Sequence, residues 1–223
     1  MVRDYFDALL AFMKADDYQK THAPLRETQA PLVTLARDHG AGGEEIAARL
    51  AELLGVRAFD KEIVDAVIAE AKSDPQLMRQ FDETVPEHTG MFLYATLMGL
   101  DDPMSEYQRL LTRVVNGIAF QGGVILGRGA HLLLRGQRRF RVRIVGSEEL
   151  CARRLAGDDK EAVRTKLKEV QAVNADRTRF FKETFKVSNN DPLQYDVVVN
   201  TDRFPDLNEV AAFLAQAYKA HAH

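Results

Sequence analysis

A glycine-rich segment early in the chain has the residue types of an anion-binding loop. The segment reads Arg37-Asp38-His39-Gly40-Ala41-Gly42-Gly43. It follows the apolar run Leu32 to Ala36 and precedes Ile46 and Leu50, which begin an apolar helix stripe. A glycine-rich turn between a strand and a helix leaves backbone N–H groups free at the positive end of the helix dipole. The pattern therefore favours a site for phosphate.

The loop departs from the usual P-loop motif, in which a Lys and then a Ser or Thr follow the last glycine. Here Gly43 stands at the Lys position and Glu44 and Glu45 come after it. Two carboxylates at this place repel a polyphosphate unless they hold Mg²⁺ or point away. Two interpretations stay open. One is a turn that binds nothing, and the other is a phosphate loop made of Gly40, Ala41, Gly42, Gly43, Glu44 and Glu45.

Two further charged residues follow other predicted strands. Asp60 comes after the run Val56 to Phe59, and Arg128 stands between two glycines after Val124-Ile125-Leu126. Ligands of open parallel sheets bind beyond the carboxyl ends of the strands. We therefore expect Arg128 to face a ligand crevice. Asp60 either orients a ligand or only caps the helix that follows it.

Arginines on predicted helices form a second group of candidates. Arg109 and Arg113 lie four residues apart on one helix face, and Arg177 and Arg179 belong to a basic and aromatic run. Arg153 lies on a helix that begins after Ser147. Simple surface charge is the alternative for these two pairs. Arg153 and Arg154 point in different directions, so at most one of them serves the site. The histidines show no metal-ligand spacing, so no metal site is predicted.

Composition excludes several classes of protein. The chain has 223 residues, of which 46% are hydrophobic, and its net charge is −3, so nothing indicates a nucleic-acid partner. No apolar run has the length of a transmembrane helix, and no membrane partner is expected. The single cysteine, Cys151, excludes an intramolecular disulfide and favours a reducing compartment, so a cytoplasmic location is expected.

The order of apolar runs predicts an α/β domain. Five short apolar runs alternate with amphipathic helices, which is typical of a parallel sheet covered on both faces. We expect an N-terminal helical arm over residues 1–30 and the main domain over 31–223. The arm packs either on the sheet or on a second subunit, which would make a homodimer. Residues 73–104 are expected to form a separate helical flap.

Several motifs in the same order resemble the cytidylate kinase-like family. Its members typically show Ser-Arg-Glu-x-Gly-Ser-Gly-Gly, an Ile-Ala helix and an Asp-Lys pair, where this chain has Ala36 to Gly43, Ile46-Ala47 and Asp60-Lys61. The segment Gln121 to Leu155 resembles cytidylate kinases, with Gly127-Arg128-Gly129 at the place of their Gly-Arg-Asp. The resemblance covers roughly residues 32 to 215 and includes the run Asp176 to Phe181 and the segment Tyr195 to Asp202.

The resemblance implies a three-layer α/β/α fold with a five-stranded parallel sheet of the P-loop nucleoside monophosphate kinase type. It implies that 73–104 is an insertion that binds the monophosphate and that 158–190 is an arginine-bearing lid. The implied reaction transfers the ATP γ-phosphoryl group to CMP or dCMP with Mg²⁺, by positioning and charge neutralisation. The implied acceptor-binding residues are Asp60, Arg109, Arg113 and Arg128, and the implied catalytic cations are Arg153, Arg177 and Arg179.

The departures from the family pattern leave two hypotheses of different class. The first is an active transferase in which Arg37, three residues before Gly40, supplies the charge of the absent Lys. The second is a degenerate kinase-fold domain that binds a nucleotide or phosphate ligand as a sensor or interaction module. In the second case Arg37 pairs with Asp38 or Glu44 and only steadies the loop.

Overall fold

The computed structural model describes residues 30–60, 63, 103–134, 139–157 and 159–221. The chain divides into two compact units, Met1–Thr28 with Asp60–Gln121 and Gln29–Phe59 with Gly122–His223. The predicted N-terminal arm lies outside the described residues except for Ala30, and so does the predicted flap except for residues 103 and 104. In the first unit the main described element is a 19-residue helix, Pro103–Gln121.

Five parallel strands form the sheet of the second unit, as predicted. They are β1 (Leu32–Arg37), β2 (Ala58–Phe59), β3 (Gly123–Leu126), β4 (Phe140–Val145) and β5 (Val197–Asn200). The strand order is β2-β3-β1-β4-β5 and every pairing is parallel. Strand β1 is central, between β3 and β4. The connection that leaves β1 leads to β2 on the β3 side, whereas the connection that leaves β3 leads to β4 on the other side of β1. The carboxyl end of β1 is therefore the topological switch point where such sheets bind ligands.

Six α-helices have described bounds, in chain order. They are α1 (Gly43–Leu54), α2 (Pro103–Gln121), α3 (Ala130–Leu133), α4 (Glu148–Ala156), α5 (Lys160–Phe185) and α6 (Leu207–His221). Helix α5 is continuous over 26 residues and occupies most of the segment predicted as the lid. Its N-cap is Asp159, whose side chain accepts hydrogen bonds from the N–H groups of Glu161 and Ala162. The short helix α3 was not predicted.

Strand β2 is shorter than the predicted Val56 to Phe59. Gly55 ends α1 in the left-handed conformation, with φ 67°, and the Val56 N–H donates to the Ala51 carbonyl at 3.0 Å. This bond satisfies a carbonyl of the last helical turn. Val56 therefore completes the end of α1, and pairing with β3 begins at Ala58.

The two faces of the sheet differ in polarity. Because side chains alternate along a strand, Val33 and Leu35 share one face with Val142 and Ile144. These residues are buried in a core that includes side chains from α1, α4 and α6. The opposite face carries buried polar residues, among them Thr34 and Arg143. Arg143 is a buried charge and therefore needs polar partners. Its partners are Asp38 and Asn190.

Candidate functional site

The glycine loop lies at the carboxyl end of β1 in a tightly packed conformation with two left-handed glycines. Gly40 and Gly42 have φ of 79° and 84°, and Gly42 is the N-cap of α1 without a side-chain capping bond. A Cβ atom at Gly40 would lie 2.7 Å from the Cys151 carbonyl oxygen, and one at Gly42 would overlap the Leu207 side chain. Only glycine meets both requirements. The loop thus leads its backbone directly into a helix N-terminus, the geometry that suits an anion.

Arg37 lies across this loop. Its Nε and Nη2 atoms contact the Oε1 atom of Glu44 at 2.9 and 2.8 Å. Its side-chain stem covers Gly43, since a Cβ there would lie 2.7 Å from the Arg37 Cβ and Cγ atoms. Its Nη1 atom reaches Gly127, at the end of β3. The sequence left Asp38 and Glu44 open as partners of Arg37, and in the structure Glu44 holds the guanidinium at the mouth of the loop.

A second guanidinium reaches the same place from α5. Arg177 donates from Nη1 to the carbonyl oxygen of Arg37 at 2.9 Å. Burial, and then repulsion by the charge of Arg37, lower the pKa of Arg177 to about 10. Partial burial would raise the pKa of Glu44, yet the charge and hydrogen bond of Arg37 hold it below its usual value. Two guanidinium groups are therefore crowded at the loop and repel each other.

Arg143, which the sequence analysis did not select, fixes the start of the loop from β4. It stands opposite Ala36 in the sheet register and is 4% exposed. Its Nη2 atom donates to Asp38 Oδ1 at 2.6 Å and to Asn190 Oδ1 at 3.1 Å. The Asp38 N–H and carbonyl bond to Ile144 and Ala41, so Asp38 joins β4 to the loop turn. The available signal was a pair of arginines, Arg141 and Arg143, that alternate with apolar residues in the strand.

His39 joins the loop to α5 through two further contacts. Its backbone N–H donates to Asn174 Oδ1 at 2.8 Å, and its Nε2 atom lies 3.0 Å from Glu169 Oε1. A hydrogen bond from Lys166, and then the bond with His39, lower the pKa of Glu169. With Arg177, these residues give α5 three contacts with the segment around the loop. The predicted lid helix thus lies against the loop.

The turn after β5 supports the loop from the other side. Thr201 is fully buried and donates from Oγ1 to the Ala41 carbonyl at 3.0 Å. Arg154 donates to Thr201 Oγ1 at 2.7 Å and to the Thr201 carbonyl at 2.6 Å. Arg154 therefore positions a turn that holds the loop, whereas Arg153 is exposed.

The structure does not bring all predicted site residues together. Arg179 is exposed and forms an ion pair with Asp176 on the same helix. Arg128 is exposed after Gly127 with φ 56°, a left-handed conformation that is unusual for a residue other than glycine. Glu45 is exposed in the first turn of α1. The predicted acceptor-binding residues that belong to the first unit are Asp60, Arg109 and Arg113.

Within the described ranges, no group of three or more His, Cys, Asp or Glu side chains is arranged to hold a metal ion. Among those same helices, none combines the length and the apolar composition needed to cross a membrane. Cys151 is buried beside Gly40, and burial raises the pKa of its thiol to about 11, which makes it an inert core residue.

The sheet has a central parallel strand with a glycine loop at its carboxyl end, and the helix after the loop packs back on the sheet. These features define an α/β protein of the P-loop kinase type. The chain belongs to the cytidylate kinase-like family, whose model matches residues 32–203. This confirms the family resemblance and the fold class expected from the sequence.

Among three similar solved structures, the first has a TM-score above 0.5 and shows a likeness of fold. An uncharacterized protein from Eubacterium ventriosum has 16% identity and a TM-score of 0.62, with 86% of this chain and 99% of that chain covered. Shikimate kinase from Acinetobacter baumannii in complex with shikimate has 16% identity, 87% and 95% coverage, and a TM-score of 0.43. A sugar kinase from Janibacter has 16% identity, 86% and 96% coverage, and a TM-score of 0.45. No curated protein matches the chain.

Proposed function

We propose that this protein transfers the γ-phosphoryl group of ATP to CMP or dCMP. The observation that carries the proposal is the convergence of Arg37 and Arg177 on the glycine loop. Two guanidinium groups that are close together and partly buried repel each other, and an anion between them would relieve that repulsion. A polyphosphate is such an anion, and the free N–H groups of the α1 N-terminus would bind it as well.

In this reaction the protein positions the reactants and neutralises charge. An oxygen of the acceptor phosphate attacks the γ-phosphorus, the bond to the β,γ-bridging oxygen breaks, and ADP leaves. Arg37 would take the place of the absent P-loop Lys and Arg177 would contact the transferring group. Arg128, at the end of β3, would bind the acceptor phosphate.

Mg²⁺ would enter this site with the nucleotide. It binds largely through phosphate oxygens and water, with one or two carboxylates. The chain offers two carboxylates in the first turn of α1, of which Glu44 is engaged by Arg37. Glu45 is therefore the candidate ligand. When bound, Mg²⁺ supplies charge neutralisation on the polyphosphate.

A second candidate function is nucleotide or phosphate binding without catalysis, as a sensor or interaction module. The ion pair between Arg37 and Glu44 favours it, because it engages the cation that transfer would require. The two functions share the ligand site and differ in whether turnover follows binding.

Calorimetric titration with ATP, CMP and dCMP, each with and without Mg²⁺, tests binding. A coupled assay of ADP formation with ATP and each monophosphate tests transfer. The proposed reaction predicts ATP binding and ADP formation that depends on CMP or dCMP. Binding without turnover would instead support the module, and failure of ATP, CMP and dCMP to bind would contradict both phosphoryl transfer and nucleotide binding.

A further inference from the structure

Glu44 stands where an incoming phosphate would bind. It is the second residue of α1, and the N-cap of that helix, Gly42, makes no side-chain capping bond. Its carboxylate accepts from two nitrogen atoms of Arg37. The chain thus places its own anion on the helix end and on the arginine that the proposed function assigns to the ligand.

Of the two carboxylates that pair with Arg37 and Arg143 at the loop, Glu44 is the more exposed. Three arginines, Arg37, Arg143 and Arg177, contribute three positive charges, and Asp38 and Glu44 contribute two negative ones. Asp38 is held by Arg143, whose side chain is 5% exposed, so that pair is fixed inside the protein. Removal of the charge of Glu44 would raise the net charge of this cluster from +1 to +2.

The ion pair between Arg37 and Glu44 can separate by movement of Glu44 alone. The Glu44 side chain is 52% exposed, whereas that of Arg37 is 12% exposed. Exposed carboxylates gain little from an ion pair because water solvates them well. Arg37 is held in place by its packing on Gly43 and its approach to Gly127. Glu44 can therefore move into solvent while Arg37 stays at the loop.

We propose that Glu44 is an internal competitor of the ligand phosphate and thereby sets the anion affinity of the glycine loop. A phosphoryl group carries more charge than a carboxylate and more acceptor oxygens, so it takes the place of Glu44 on Arg37. This inference rests on the proposed binding of a polyphosphate at the loop, but it does not require catalysis.

The test compares the binding of pyrophosphate, without Mg²⁺ and at an ionic strength of about 0.15 M, by the full chain and its variants. Glu44→Gln removes the competing charge and is expected to raise the affinity on the order of tenfold. Glu52→Gln is the matched control, because Glu52 lies on the same helix, is 66% exposed and pairs with Arg49. It removes the same charge two turns away and should change the affinity less than about twofold.

The Arg37→Ala background separates competition from a general charge effect. If Glu44 acts by holding Arg37, the gain from Glu44→Gln disappears when Arg37 is absent. A gain of equal size in the Arg37→Ala protein would overturn the inference. Glu44→Asp, whose shorter side chain reaches Arg37 less well, is expected to give an intermediate gain and provides a second variant if Glu44→Gln folds poorly.

The outcomes distinguish this inference from the proposed function. If the unsubstituted protein binds pyrophosphate and Glu44→Gln binds it no more tightly, Glu44 is not a competitor and the proposed function stands. If only Glu44→Gln binds pyrophosphate, Glu44 excludes this anion from the loop of the unsubstituted protein, which supports the inference. If neither protein binds pyrophosphate, the inference is wrong, and the titrations with ATP, CMP and dCMP decide the proposed function separately.

Discussion

Arg143 donates a hydrogen bond to the Asp38 carboxylate at 2.6 Å, at the point where the glycine loop leaves β1. The Arg143 side chain is 5% exposed and that of Asp38 is 19% exposed. The Asp38 main chain is bonded to β4 and to the loop turn. The pair therefore fixes the start of the loop relative to β4. Each charge stabilises the other, because water reaches the two side chains poorly.

Removal of one partner should be costly. Arg143→Met would leave the Asp38 carboxylate unpaired at a nearly closed site and is expected to lower the free energy of unfolding by about 3 kcal/mol. Urea-induced unfolding measures this change. Arg49→Ala is the control, because Arg49 is 46% exposed and its ion pair with Glu52 should contribute less than about 1 kcal/mol. Equal losses in the two variants would show that the Arg143 pair is not structurally important.

The sequence predicted the elements that depend on local pattern. The strand before the loop, the loop glycines and α1 follow from apolar runs and spacing. The beginning of β2 could not be predicted, because Val56 is engaged by the end of α1. Arg143 was missed for a different reason. Its partners Asp38 and Asn190 are 105 and 47 residues away in sequence, and only the strand register brings them together.

The partner of Arg37 could be predicted only in part from the sequence. Glu44 is seven residues from Arg37, close enough for the sequence to name it as one of two alternatives. The choice between Asp38 and Glu44 was decided by Arg143, which engages Asp38 from another strand. A local pattern thus gave the candidates, and a long-range contact selected between them.

The two arginines of the basic and aromatic run should differ in their effect on ligand binding. Arg177 contacts the Arg37 carbonyl beside the loop, whereas Arg179 forms an exposed pair with Asp176. Arg177→Ala is expected to weaken ATP binding by about 1.5 to 3 kcal/mol, the scale of hydrogen bonds to charged groups. Arg179→Ala should weaken it by less than about 0.5 kcal/mol. Calorimetric titration of both variants checks the difference, and a larger effect at Arg179 would contradict this assignment.

Arg128 should contribute to binding of the acceptor nucleotide but not to the stability of the fold. Its left-handed backbone, with φ 56°, is unfavourable by about 1 to 2 kcal/mol for a residue with a Cβ atom. Arg128→Gly removes that strain, so thermal unfolding should show unchanged or greater stability. The same variant is expected to weaken CMP binding by about 1.5 to 3 kcal/mol. An unchanged dissociation constant for CMP would show that Arg128 does not bind the acceptor.

His131 should make stability depend on pH. It is 3% exposed, its ring lies 5.6 Å from that of Phe181 and 4.8 Å from that of Tyr195, and burial lowers its pKa from 6.5 to about 4. The unfolded chain takes up this proton first as the pH falls, so acid favours unfolding. The free energy of unfolding should fall by about 2 kcal/mol from this group between pH 7 and pH 5 and level off below pH 4.

Urea titrations at the two pH values measure this effect. His131→Phe keeps an aromatic ring against Phe181 and Tyr195 but cannot take up a proton. Its stability should therefore change about 2 kcal/mol less over the same range than that of the unsubstituted protein. If the two proteins show the same dependence on pH, other groups cause the acid sensitivity.

Arg37 is the strictest test of catalysis, because its side chain lies over Gly43, where the P-loop Lys would stand. Cations at a transferring phosphoryl group contribute at least a hundredfold in rate, so Arg37→Ala is expected to lower turnover with ATP and CMP on the order of 10²-fold. Arg37→Lys should recover part of this loss, because a point charge still attracts phosphate although it lacks the paired donors of a guanidinium.

A purely structural role for Arg37 predicts a different pattern. If Arg37 only steadies the loop through Glu44, Glu44→Gln should impair turnover as much as Arg37→Ala does. If Arg37 neutralises the phosphates, Glu44→Gln should preserve or raise turnover, because the guanidinium is released for the ligand. Steady-state assays of the three proteins, each checked by thermal unfolding, separate the two roles. Full turnover by Arg37→Ala would show that the charge of the missing Lys is supplied elsewhere or is not required.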